Sequence, residues 1–166
     1  MNQALGEKGK LPKIPLLFRT DCGYILVAGL GTPPPKTDLS QRMVAVPSSM
    51  FASLRHLIMA AFRACRSIAK GVNIADAFAY ELVICLTGIR EISKLKEELA
   101  KPSKGYALIV LCDHPFACRS LLLNLLVRGA KLVEVEPAYI PRKLPSCSDS
   151  GEALAMEEGA MVELDR

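Results

Sequence analysis

Hydrophobic and polar positions along this chain switch between a strand-like and a helical period. Cys22 to Leu30, CGYILVAGL, is rich in strand formers and runs into GTPPPKTD, where three prolines stop regular structure. RMVAVP, Arg42 to Pro47, predicts a second short strand returning beside the first. The period then becomes helical in SSMFASLRHLIMAAFRACRSIAKG, with Ser48 or Ser49 as the expected N-cap and Gly71 as the stop. At about 100° per residue, Phe51, Leu54, Leu57, Ile58, Ala61, Cys65 and Ile68 share one face. Arg55, Arg63, Arg66 and Lys70 fall within an arc of about 80° on the other, and Phe62 projects on or near the apolar side.

A second helix is expected over NIADAFAYELVICLTG, capped by Asn73 and with Asp76 in its first turn. Its projection buries Phe78, Ala79, Leu82, Val83, Cys85 and Leu86, and leaves Asp76, Tyr80, Glu81 and Ile84 toward the remaining side. REISKLKEELA predicts a third helix with Ile92, Leu95 and Leu99 inward and Lys94 and Glu98 spaced as an i,i+4 pair. GYALIVLC then reads as a buried strand, and DHPFACRSLLLNLLVRG as a helix capped by Asp113 with Pro115 in its first turn. KLVEVE alternates as a strand would, so strand, helix and strand form either a crossover unit or an antiparallel return. From Pro137 the chain is loop-like, with at most one short strand, AMVEL, near its end.

Charge sharpens this picture. The formal net charge of the 166 residues is +4, but the segment from Ser146 holds six acids against Arg166 alone. Residues 1–145 therefore carry 20 bases and 11 acids, a body of +9 followed by an acidic tail over 146–166. No Asp or Glu stands between Asp38 and Asp76, which leaves Arg42, Arg55, Arg63, Arg66 and Lys70 without a local acidic neighbour. Such a field favours a polyanionic partner. The apolar runs fall far short of the roughly 20 residues of a membrane span, and the polar, basic start MNQALGEKGKLPKIP lacks the apolar centre of a secretory signal. A cytoplasmic location is expected, with the six cysteines read as small buried hydrophobes.

Candidate chemistry is sparse. Gly29 and Gly31 follow a strand, but prolines stand where a dinucleotide-binding loop needs a helix start. With no CxxC spacing and two histidines, no metal or cofactor is expected. DHPFAC brings Cys118 and His114 close in sequence, the one arrangement that fits a small enzyme with a nucleophile and a base. Glu81 has no carboxylate partner at helical spacing for acid and base work.

The stretch HLIMAAFRACRSIAKGVNIADAFAYELVICLTGIREISKLKEEL, followed by YALIVLC, resembles the small kinase-binding regulatory subunit of the KEOPS (EKC) complex, the TPRKB-like family. The match runs over roughly residues 40 to 136 and is carried by His56 and Leu57, Asn73 and Ile74, Glu81 and Leu82, Gly88, Arg90, Ile92 and Ser93. Two positions depart from the family, Glu91 in place of Gln and Leu95 in place of Ala. The resemblance implies an α/β fold of the α+β kind, a central and largely antiparallel sheet flanked by helices, in one domain over 1–145. It also implies a non-catalytic subunit that binds and stimulates the complex's small atypical kinase. The same subunit helps recruit tRNA, by its 3′ CCA end, for threonylcarbamoyladenosine formation. Arg55, His56, Arg63, Arg66 and Lys70 are the residues expected to meet tRNA, with no small-molecule substrate. The alternatives are the Cys118 and His114 enzyme, or a kinase-binding module without an RNA role.

Overall fold

The structure, a computed structural model, describes residues 9–34 and 42–138. The AMVEL strand and the boundary between body and acidic tail lie outside the described residues. One sheet organises the rest. Its strands are β1 (Leu16–Thr20), β2 (Gly23–Leu30), β3 (Met43–Pro47) and β4 (Tyr106–Cys112), in the order β1-β2-β4-β3, and every neighbouring pair is antiparallel.

The register assigns β3 to β4, with Met43 opposite Val110 and Pro47 opposite Tyr106, and not to β2 as chain order suggested. The reason lies in the side chains. Every residue of both strands is buried, but β3 is the shorter and ends in a proline that suits an edge, which leaves the central place to β4. β1 is an element the periodicity does not single out. Five residues behind Pro15 are too few to show an alternation, and β1 is fixed by pairing with β2 across a tight turn at Asp21 and Cys22.

Alternation along the sheet separates two cores. Ile25, Val27, Val44, Val46, Ile109 and Leu111 face one layer, formed by α1 (Leu54–Lys70), α2 (Phe78–Thr87) and α3 (Ile92–Ala100). Leu26, Ala28, Leu30, Ala45, Leu108 and Val110 face the other, covered by α4 (Pro115–Val127). The result is an α+β sandwich of helices, antiparallel sheet and helix. Leu57, Leu82 and Leu95 are wholly buried in the first core, each contributing about 1.5–3 kcal/mol by leaving water.

KLVEVE does not become a strand. β1 covers only Gly23 to Val27 of β2, leaving the last three residues of β2 with an open edge. The returning chain takes that edge through an antiparallel bridge of Leu132 to Leu30, and a second bridge joins Val135 to Leu11. A Cβ on Gly29 would run into the Val133 carbonyl, which accounts for a glycine there without any phosphate loop. Among the described residues, no parallel crossover forms.

Three helix starts and the side-chain pairing of α3 also differ from expectation. Ser48 opens a single 3-10 turn, Ser48–Met50, and its hydroxyl is taken by Ser103 at 2.7 Å, so Ser53 rather than Ser48 or Ser49 caps α1. α2 begins at Phe78, five residues after Asn73, which instead donates to the Ala75 carbonyl at 2.9 Å. His114 caps α4, its Nδ1 accepting from the Phe116 amide, while Asp113 pairs with Arg42 at 2.9 Å. In α3, Lys94 binds Glu91 and Lys101 binds Glu98, each at 2.6 Å, and Ile92 is largely outward. Gly71 ends α1 as expected, with φ 67° and a Val72 amide reaching back to Ser67.

The cysteines are not all thiols. Cys22, in the β1–β2 turn, is disulfide-bonded to Cys65 of α1, while Cys85, Cys112 and Cys118 are buried and lie outside that bond. Among the described residues, no helix is long and apolar enough to cross a membrane.

Candidate nucleic-acid interface

α1 positions the residues that sequence assigned to a polyanion. Ser53 accepts from the His56 amide at 3.0 Å and starts the helix, and the apolar face formed by Leu54, Leu57, Ala61, Ala64 and Cys65 locks against the sheet and α2. What remains outward is Arg55, Met59, Phe62, Arg66, Ala69 and Lys70. Their spacing of three and four residues makes one continuous stripe. No acidic residue occurs in Leu54–Lys70, and no salt bridge holds Arg55, Arg66 or Lys70 among the described residues.

Three of the five expected RNA contacts therefore share an accessible face, and two do not. Arg63 is half-buried at the side of the helix. His56 is buried: its Nδ1 accepts from the Ala52 amide at 3.1 Å, and its Nε2 then donates to the Leu86 carbonyl at 3.2 Å. The imidazole is a tie between α1 and α2, set by its place in the first turn beside the end of α2, and it does not reach the surface.

Sequence reasoning missed Phe62. Counted with the apolar face, it is instead 37% exposed, and Met59 beside it is 42% exposed. The signal was available in the spacing, since Phe62 stands seven residues from Arg55 and four from Arg66. An aromatic ring between guanidinium groups offers a base both a stacking surface and phosphate partners, the chemistry of single-stranded nucleic-acid grooves.

Most of the positions that carry the resemblance serve the scaffold around this face. Glu81 is wholly buried in α2, and its Oε2 accepts from the amides of Ile74 and Ala75 at 2.9 Å each. Backbone donors are among its partners, and the carboxylate holds down the segment that joins α1 to α2. Ile84 is buried beside it, against the helical projection, because α2 lies between α1, α3 and the sheet. Gly88 ends α2 at φ 74°, its amide bonded to the Ile84 carbonyl. Arg90 and Ile92 are exposed at the turn into α3. Glu91, the departure from Gln, is held below its ordinary carboxylate range by hydrogen bonds from Lys94 and Ser93, so its charge is matched locally.

On the opposite side of the sheet, α4 buries Cys118, Leu122 and Leu125 and turns Phe116, Leu123 and Val127 outward, at 66, 60 and 87% exposure. A helix apolar on both sides has the composition of one that is covered on both. The thiol of Cys118 points into the protein, toward the carbonyls of Tyr24 at 3.7 Å and Val110 at 3.9 Å, and burial pushes it up to about 12. His114 is exposed and stacks on Phe116 with ring centroids 5.2 Å apart. Buried thiol and exposed cap are not joined as a nucleophile and base. Among the described residues, no group of three or more His, Cys, Asp or Glu side chains is arranged to hold a metal.

No protein-family model matches this sequence, and no curated protein matches it.

Proposed function

We propose that the protein is a non-catalytic, RNA-binding subunit of a KEOPS-like tRNA-modification assembly, in which α1 meets tRNA and α4 meets the kinase subunit. One observation carries the RNA part: the outward stripe of α1 interleaves Arg55, Arg66 and Lys70 with Met59 and Phe62 and contains no acid. Cations on a single helix face draw in a phosphate backbone, and an aromatic among them accepts an unpaired base. A single-stranded 3′ CCA end fits that chemistry better than a duplex, whose bases are stacked on one another.

The kinase enters from the resemblance between residues 40 and 136 and the family's small regulatory subunits. The apolar face of α4 supports a protein partner, because Phe116, Leu123 and Val127 supply the aromatic and aliphatic anchors of a protein interface and no acid. The two faces lie on opposite sides of the sheet, so one subunit has room for both partners at once.

Binding of tRNA with and without its 3′ CCA end tests the first part. The native chain is expected to prefer the intact end, and Phe62→Ala to abolish the preference; equal affinity for both tRNAs would refute it. Co-purification with a co-expressed kinase subunit tests the second. Leu123→Glu with Val127→Glu is expected to abolish it, and undiminished co-purification would remove α4 from the interface.

A further inference from the structure

We infer that the acidic segment Glu152 to Asp165 of this chain docks on the outward stripe of α1 and competes there with RNA. The competition rests on the RNA reading above; the docking itself does not.

Three observations select this occupant. The first is charge. EALAMEEGAMVELD contains Glu152, Glu157, Glu158, Glu163 and Asp165 and no base, whereas α1 contains four bases and no acid. Opposite fields of this kind steer a segment to one face and away from acidic ones. The outward side of α4 is the competing site, but α4 contains only Arg119 as a base.

The second is the apolar content. Leu154, Met156, Met161, Val162 and Leu164 lie among the acids of the segment, as Met59 and Phe62 lie among the bases of α1. Methionine and leucine on one side match methionine and phenylalanine on the other, so contact removes apolar surface from water as charges pair.

The third is the tether. The Ala138 amide donates to the Ser48 carbonyl at 2.8 Å, and Ser48 begins the 3-10 turn that leads into α1. The chain therefore leaves the described body close to the start of the helix. Residues 139–151 between that anchor and the segment can extend to about 45 Å. The stripe from Arg55 to Lys70 is only about 22 Å long. A tether of that reach gives an effective concentration on the order of millimolar, enough to populate a weak contact. An RNA must displace the segment, so unspecific polyanions bind less and only a ligand that also uses Phe62 gains full affinity.

The full chain is compared with a full chain in which Glu157→Gln, Glu158→Gln and Glu163→Gln neutralise the segment. Amide chemical shifts are recorded at low and at 1 M salt. Shift differences centred on Met59, Phe62 and Arg66 at low salt, vanishing at 1 M, are the expected result. Identical α1 shifts in the two chains, or differences centred on Phe116 to Val127, would overturn the docking. Affinity for a short single-stranded RNA is then measured for both. The neutralised chain is expected to bind about tenfold tighter, and equal affinities would overturn the competition. If neither chain binds RNA, the RNA reading fails while the shifts still decide the docking.

Discussion

Glu81 shows how a residue that looks like chemistry can be architecture. A lone carboxylate in an apolar helix suggests a catalytic acid, yet its oxygen accepts from two backbone amides of the segment that enters α2. Removing it leaves those amides without that acceptor, at roughly 1–3 kcal/mol each. Glu81→Ala is therefore expected to lower stability by about 2–5 kcal/mol, as read by chemical denaturation, with Asp76→Ala on the exposed loop as a near-neutral control. His56 belongs with Glu81. Both were legible as special in the sequence, but whether a side chain turns outward to a ligand or inward to a neighbouring backbone depends on tertiary placement that one sequence does not contain. Cys118 is the same case in a thiol: burial holds it up to about 12, so the thiolate is absent at neutral pH. A thiol reagent with peptide mapping is expected to label Cys85, Cys112 and Cys118 only after denaturation. Rapid labelling of Cys118 in the native protein would reopen the enzyme reading.

At the scale of elements, strong patterns predicted well and weak ones did not. α1 and β4 follow from long, unambiguous runs, and the Gly71 stop follows from the backbone freedom glycine has at a helix end. The start of α2 was misplaced because Asn73 and Asp76 are good caps locally, while Glu81 binds the backbone ahead of the helix and sets the loop differently. KLVEVE has a strand's alternation, but the stretch of β2 edge it meets, left uncovered by β1, is only three residues long. Phe62 was placed on or near the apolar side by its helical projection, but its ring turns out beside Met59 and Arg66. The outward face of α1 makes its own prediction. Phe62→Ala is expected to leave the unfolding midpoint nearly unchanged, since the ring is partly in water, and to weaken binding of single-stranded RNA by about 1–3 kcal/mol through lost stacking. Thermal unfolding beside equilibrium binding separates the two.

At the scale of the whole molecule, the sheet divides labour. One layer holds α1 with its cations, the other holds α4 with its apolar stripe, and β4 buries side chains toward both. The Cys22–Cys65 disulfide ties the β1–β2 turn to α1 across a separation of 43 residues. Constraining a loop of that length lowers the entropy of the unfolded chain, and Cys22→Ser is expected to cost up to about 4 kcal/mol. Denaturation with and without reductant checks this, and the difference between the two should vanish in the variant. The antiparallel sheet flanked by helices was expected from the resemblance, but the strand order and the disulfide were not legible in the sequence, because both depend on which distant segments the cores bring together.

The central claim is that the outward stripe of α1 is an RNA-binding face, and the salt dependence of binding tests it most directly. Affinity for an RNA ending in an unpaired CCA is measured over a range of salt for the native chain and for Arg55→Glu with Arg66→Glu. The account predicts that the variant binds at least tenfold more weakly at low salt and that the slope of log affinity against log salt falls by about 1.4 or more, for two lost single-strand phosphate contacts. The same affinity and the same slope in both chains would contradict it.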